Sequence, residues 1–357
     1  IHPLRGQNNV QGASDSGLIP MVYPNYQSVT DHGVRKKFEK LWGQELDSNV
    51  GLTVIEIAEK AFEKKLKGLY IMGENPAMSD PNLNFTREAL SRLDFMVVQD
   101  IFFTETAGFA DIILPASAFA EKDGTFTNTD RRVQLGRKAV DPPGEAKQDI
   151  WIIQELAKRL GLDWQYTSVE DVFNELRQTN ETIGGITWNM LNEKDSVTYP
   201  YTSNSKQSEP ILFSESFPTR SGKATFVPAK FQKANELPDK EFPFVFITGR
   251  HLEHWHTGSM TSRSEVLNEL EPEPTVSLNP EDIKELNINA SSRVSIISRR
   301  GRLDANLRID PNVQKNTIFM AFCFADSAAN LITNEAMDPF GKIPEFKYCA
   351  AKILPAN

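Results

Sequence analysis

Between residues 53 and 115 the apolar residues switch repeatedly between helical and strand spacing, and this alternation restricts the possible folds more than any other feature of the sequence. Thr53 to Leu66 is amphipathic at helical period, and Gly68-Leu69-Tyr70-Ile71-Met72 is an unbroken apolar run of strand length. Asn84 to Leu93 returns to the helical period, and Phe95-Met96-Val97-Val98-Gln99 is a second strand. A third short strand, Asp111-Ile112-Ile113-Leu114-Pro115, and a helix from Gln148 to Leu160 ended by Gly161 extend the βαβ rhythm. Continuous apolar strands separated by helices predict an α/β fold with a mainly parallel sheet and helices on its faces. Ligands of such sheets sit at the carboxyl ends of the strands. Here those ends run into Gly73-Glu74-Asn75-Pro76, Asp100-Ile101-Phe102 and Ala116-Ser117.

From Thr179 to Phe217 the pattern dissolves into Asn, Ser, Thr, Pro and Gly, with Tyr199-Pro200-Tyr201 and Ser203-Asn204-Ser205 as turn signals. Beyond it, short β-rich runs replace the helices: Ala224 to Val227, Phe244 to Thr248, Arg293 to Ser298, Gly301 to Ile309 and Thr317 to Met320. Several short strands with few helices predict a compact barrel. The sequence thus divides into an α/β region at 1–178, a connector at 179–210 and a β-barrel domain at 211–357, which 357 residues accommodate.

Charge and cysteine content narrow the function. Thirty-nine basic residues against 48 acidic ones give a net charge of -9, a field that repels a nucleic-acid backbone, so any anionic ligand has to be held locally. No apolar run approaches the roughly 20 residues that span a bilayer, and no direct membrane insertion is expected. Cys323 and Cys349 are too few for a disulfide framework or a four-thiolate cluster. They read as core residues in a reducing, cytoplasmic compartment. The opening lacks Met and falls in a Gly/Asn-rich segment, Arg5 to Gly12, as if cut from within a longer chain.

Several residue groups have polar chemistry to offer. Arg5 can fork two donors onto a carboxylate beside Gln7, or belong to an ordinary polar loop. Gly73-Glu74-Asn75-Pro76 can present amides to a pyrophosphate with Glu74 accepting from sugar hydroxyls, or form a plain strand-to-helix turn; the G-x-G-x-x-G fingerprint is absent. Gln99-Asp100 can meet the amino and imino donors of a base, or start a turn. His251, His254 and His256 follow Arg250 closely. His254 and His256 are spaced like a metal-binding pair on a strand, but zinc wants three or four ligands, and an anion or cofactor site and a solvated loop both stay open.

Taken together these residues resemble a known family. Arg5-Gly6-Gln7-Asn8-Asn9-Val10-Gln11-Gly12-Ala13 resembles the active-site segment of molybdopterin-dependent formate dehydrogenases, of the dimethyl sulfoxide reductase superfamily. Further strings resemble that family's motifs in the family's order: Tyr70 to Pro76, Val98 to Phe102, Ala110 to Pro115, Glu121 to Asn128 and Pro344 to Tyr348. The resemblance implies two molybdopterin guanine dinucleotides whose dithiolene sulfurs hold molybdenum or tungsten. It places Gly73, Glu74, Asn75, Ser79, Gln99, Asp100 and Asp149 around one dinucleotide, and Arg250, His251, His254, His256, Thr257, Asn330, Phe346 and Lys347 around the other. It makes the sheet one of the dinucleotide-binding type and the barrel six-stranded and double-psi-like.

By the same resemblance Arg5 and Gln7 are the catalytic residues, Arg5 orienting formate and Gln7 assisting near the metal. No metal ligand falls in this sequence, since the family carries its metal-ligating Cys or selenocysteine and its iron-sulfur cysteines upstream of the Arg5 segment. The sequence departs from many relatives at Ser14, where they have a nearby cysteine, and at His251, where they have an acidic residue. The implied function is that of the C-terminal half of a catalytic (alpha) subunit, inactive alone. Formate is oxidised to CO2, and two electrons pass through iron-sulfur clusters to an electron-accepting subunit or carrier. Two alternatives stay open: another superfamily oxidoreductase such as a nitrate reductase, against which Arg5 with Gln7-Asn8-Asn9 stands, and a cofactor-free structural electron-transfer subunit of a respiratory assembly, against which the intact Gln99, Asp100, Asp149 and Arg250 stand.

Overall fold

The computed structural model describes residues 6–205, 207–289 and 292–356. Arg5 lies outside the described residues. The chain forms two compact units that interleave along the sequence: Ile1–Leu52 with Pro115–Ala229, and Thr53–Leu114 with Lys230–Asn357. The division at 178 and 210 follows the order of the chain, whereas this grouping follows contacts in space, and the two cut across each other.

The second unit holds the parallel sheet and the barrel. Strand β1 (Gly68–Met72) pairs in parallel with β2 (Phe95–Asp100), Ile71 opposite Val98, and β3 (Ile112–Pro115) flanks β2 on its other side. Ile71, Met96 and Val98 pack with Ala77 and Leu90 in one cluster. Helices Val54–Phe62 and Leu83–Ser91 meet through Ala58, Ala61 and Ala89, whose small side chains allow close approach. The first of these helices starts with a capping box, Glu56 accepting from the Thr53 amide at 2.8 Å and its hydroxyl at 2.7 Å. A bond from Lys342, followed by the Thr53 donors, holds the Glu56 carboxyl down at about 2.

The barrel is closed by β4 (Phe244–Gly249), β5 (Thr275–Leu278), β6 (Arg293–Ile297), β7 (Arg302–Ile309), β8 (Thr317–Ala321) and β9 (Cys349–Pro355) in the order β5-β7-β6-β9-β4-β8. Pairs β5/β7 and β4/β8 are parallel and the other neighbours antiparallel, with β8 returning to β5. Phe246, Val276, Leu278, Ile296, Ile318 and Met320 fill the interior, each contributing about 1.5–3 kcal/mol by burial. Alternation along β4 puts Phe244, Phe246 and Thr248 inside. The six strands agree with the expected barrel.

Three local expectations are corrected. Ala224–Val227 is not a strand: Phe226 is 99% and Val227 82% exposed, because the barrel closes without it and no edge remains to pair with. Strands β5 and β9 are additional. Glu271-Pro272-Glu273-Pro274 before β5 reads as a loop, and β9 opens with the weak strand formers Cys349-Ala350-Ala351.

In the first unit a small antiparallel sheet of Gly124–Thr127, Arg132–Gly136 and Val197–Thr198 is joined by helices that include His32–Trp42, Asp149–Arg159 and Val169–Thr179. Its core combines Val133 and Phe173 with Ile183, Ile186, Leu191, Val197 and Tyr199. Much of that core therefore comes from the stretch read as a connector, where the buried residues follow no single period. Among the described residues no helix is long and apolar enough to cross a membrane.

Candidate functional site

Because β1 and β2 run parallel, their carboxyl ends stop side by side, and the Gly73 amide donates to the Gln99 carbonyl at 2.9 Å. Gln99 is fully buried and its amide oxygen accepts from the Tyr70 hydroxyl. Asn75, also buried, uses its whole side chain on the protein. Its Oδ1 accepts from the Thr106 amide (3.1 Å) and hydroxyl (2.7 Å), and its Nδ2 donates to Glu105 and Ser259, both at 2.8 Å. Asn330 is a second brace, donating to the carbonyls of Met78 (3.0 Å) and Ser79 (3.1 Å) on the short helix Pro76–Ser79.

These braces leave a rim of carboxyls at the strand ends. Asp100 accepts from the Ile101 amide at 2.6 Å, and Asp80 accepts from the Ser79 hydroxyl at 3.2 Å. Burial first, with repulsion from Glu74 added, pushes the Asp80 carboxyl up to about 7. Desolvation and the Asp100 charge also raise Glu74. Such an acceptor-rich edge suits a ligand edge that donates, such as sugar hydroxyls or the amino and imino groups of a purine.

The Asp80 shift has a testable sign. Folded Asp80 keeps its proton to about pH 7 while the unfolded group releases it near 3.8, so the folded state binds more protons in that window and stability falls as pH rises through it. Asp80→Asn is expected to flatten the decline in denaturant midpoint between pH 5 and pH 8; a decline as steep as in the parent protein would show that Asp80 is not its source.

At the barrel, β4 ends at Gly249 and hands the chain to an irregular loop at 250–260. Three cationic or imidazole groups converge there on Phe322. The Arg250 guanidinium lies 5.9 Å from the ring centroid, the Lys347 ammonium 4.9 Å, and the His256 ring packs edge-on at 5.0 Å. Lys347 donates to the Thr248 carbonyl at 2.9 Å, and the Thr248 hydroxyl donates to the Phe346 carbonyl at 3.0 Å, which fastens the Phe346-Lys347 segment to β4. Burial and the Arg250 charge lower Lys347, and burial with Arg250 and Lys347 lowers His256. Among the described residues neither Arg250 nor Lys347 pairs with a carboxylate. Like charges gathered without a counter-charge fit a bound polyanion such as a diphosphate.

Thr257 is buried beside Ser259, their hydroxyls 3.2 Å apart. His251 and His254 turn elsewhere, both rings edge-on to Phe324 at 6.2 and 5.7 Å, and the His254 Nε2 lies 3.1 Å from the Glu271 carbonyl oxygen. The reading of His254 and His256 as a metal-binding pair on a strand is thus corrected: the loop is irregular, and the two rings pack on different aromatic residues.

In the first unit, Asp149 opens the helix Asp149–Arg159 and pairs with Lys122, which also donates to the Ser117 carbonyl at 3.0 Å. The Ser117 hydroxyl is buried and has no hydrogen-bond partner among the described residues. Lys122 and Ser117 were not among the sequence candidates. Their signals were the Glu121-Lys122-Asp123-Gly124 string and the polar end of the third strand. A cavity of about 490 Å³, lined in part by Lys147, Gln148, Trp151 and Tyr166, flanks the start of the same helix. Gln7 is exposed ahead of the helix Val10–Asp15, where the Asn9 side chain accepts from the Thr127 amide at 3.0 Å.

Residues 6–159 match the family described as Molybdopterin oxidoreductase, and residues 244–350 match the "Molydopterin dinucleotide binding domain". The F420-dependent formate dehydrogenase subunit alpha of Methanocaldococcus jannaschii is 48% identical over 99% of this chain and 52% of its own length. Formate dehydrogenase H of Escherichia coli is 36% identical over 99% of this chain and 50% of its own length. The chain therefore spans about half the length of these relatives. Among solved structures, acetylene hydratase from Pelobacter acetylenicus matches with a TM-score of 0.71 at 19% identity, covering 90% of this chain and 50% of that one, a likeness of fold alone.

Proposed function

We propose that this chain, whose residues 6–159 match the Molybdopterin oxidoreductase family and whose residues 244–350 match the molybdopterin dinucleotide-binding domain, is the C-terminal half of the catalytic subunit of a formate dehydrogenase. The observation that carries the cofactor part of this reading is the cluster of Arg250, His256 and Lys347 with no carboxylate opposite them among the described residues. Their donors would hold the diphosphate of one dinucleotide, with Thr257 nearby in the same loop. Glu74, Asp80 and Asp100 would accept from the ribose and guanine of the other, on strand ends that Asn75 and Asn330 keep in place. Asp149, which pairs with Lys122 in the first unit, would likewise accept from a guanine.

The bound cofactor supplies the two-electron redox chemistry. This chain supplies orientation and field. Arg5 is proposed to grip the formate carboxylate through its planar fork, with Gln7 donating alongside. Electrons would leave through iron-sulfur clusters held outside these residues to an accepting subunit or carrier, in a cytoplasmic assembly. A cofactor-free structural role fits the site poorly, since Arg250 and Lys347, which repel each other beside Phe322, would have no ligand to offset them.

Elemental mass spectrometry on the full-length protein, purified without oxygen, tests this reading. About one molybdenum or tungsten atom per chain is expected. No metal, even from cells supplied with both elements, would favour the structural subunit. Asp149→Ala is expected to weaken dinucleotide retention about 10- to 100-fold, the loss of hydrogen bonds to a charged acceptor being worth about 1.5–3 kcal/mol. Undiminished cofactor content in that variant would remove Asp149 from the guanine site.

A further inference from the structure

We propose that His251, Glu253 and Glu271 bind one divalent first-row transition-metal cation of the zinc type. One ligand atom from each lies within 4.8 Å of the other two. Among the described residues neither ring nitrogen of His251 has a hydrogen-bond partner, and Nε2 is closed off from solvent. The Glu253 carboxylate likewise has no partner among them. A buried nitrogen left unsatisfied is costly, and a bound cation would remove that cost.

The third ligand is already oriented. Glu271 accepts from Arg308 with both oxygens, at 2.9 and 3.0 Å, and each oxygen keeps a lone pair for a metal. His254, only 2% exposed, has its Nε2 3.1 Å from the backbone carbonyl of Glu271 and fixes the main chain there. Phe324 walls both histidine rings. Donors and packing behind the ligands are what a metal site needs to hold its geometry. Arg308 offsets one of the two carboxylate charges, and the cation would offset the other.

One imidazole with two carboxylates suits zinc, cobalt, iron or manganese, whereas calcium and magnesium favour sets made wholly of oxygen. Three protein ligands leave a position for water. The ion would tie the 250–260 loop to the segment entering β5, and so stiffen the loop that also carries Arg250 and His256.

Cobalt(II), a spectroscopic stand-in for zinc, tests the site on the full-length protein after removal of adventitious metal by a chelator. About one Co2+ per chain is expected, with visible d–d absorption that Zn2+ abolishes. Glu253→Gln and Glu271→Gln are each expected to weaken it at least about tenfold. Glu253→Gln is decisive even if Glu271→Gln misfolds for want of a partner to Arg308. Cobalt binding in Glu253→Gln equal to that of the parent protein, or no spectrum with the parent protein at micromolar Co2+, would overturn the proposal. The cobalt readout is independent of how much molybdenum or tungsten the protein contains.

Discussion

Arg5→Lys in the full-length protein is expected to lower formate turnover at least about 100-fold at unchanged molybdenum or tungsten content. A guanidinium meets a carboxylate with two parallel N–H donors in one plane, and so fixes both the position and the tilt of so small a substrate. An ammonium supplies the charge but not the tilt. The loss should therefore fall on kcat more than on KM, because attraction survives and alignment does not. Initial rates with an artificial electron acceptor keep the natural partner from limiting the measurement. Turnover equal to that of the parent protein would remove Arg5 from the mechanism, and with it the residue on which the formate assignment leans most.

Gly258→Ala is expected to destabilise the barrel unit by about 2–5 kcal/mol. Gly258 sits at φ +75°, and a Cβ there would stand 2.4 Å from the Cys323 carbonyl oxygen, which is main chain and cannot swing aside. The substitution thus combines left-handed strain with a backbone clash. Gly43, which ends the helix His32–Trp42 at φ +66°, separates the two contributions, since nothing lies within 4 Å of its Cβ position. Gly43→Ala should cost only about 1–2 kcal/mol. Denaturant midpoints of the two variants measure the difference; equal losses would mean that the 250–260 loop yields to the clash.

The sequence was most legible where local pattern and tertiary role coincide. Strands β1 and β2 stand within a residue of where the pattern puts them, and their apolar runs supply Ile71, Met96 and Val98 to the buried cluster beneath the sheet. β9 is different: Cys349-Ala350-Ala351 has little strand preference, and becomes a strand because β4 and β6 offer it unpaired edges. The buried residues from Ile183 to Tyr199 carry no periodic signal in the sequence, because helix, turn and strand follow one another there too quickly for a period to develop. In the candidate site, the family resemblance implies that Asn75 and Asn330 belong to the site, but only geometry shows that their amides are spent on the protein itself. Likewise three closely spaced histidines read as one group, yet two pack on Phe324 and one on Phe322. Side-chain direction in an irregular loop depends on distant aromatic residues that spacing along the chain does not encode.

The interleaving of the two units sets an order on biosynthesis. Residues 53–114 leave the ribosome before 115–229, yet they belong with residues 230–357, and the barrel among those is closed only by Cys349–Pro355. The sheet segment must therefore wait, incompletely packed, while the rest of the other unit is made. Such delayed long-range pairing is slow and leaves apolar surface open to mispairing. A nascent chain halted before its final strand would hold an open barrel and a sheet without its partner, the kind of surface that chaperones bind.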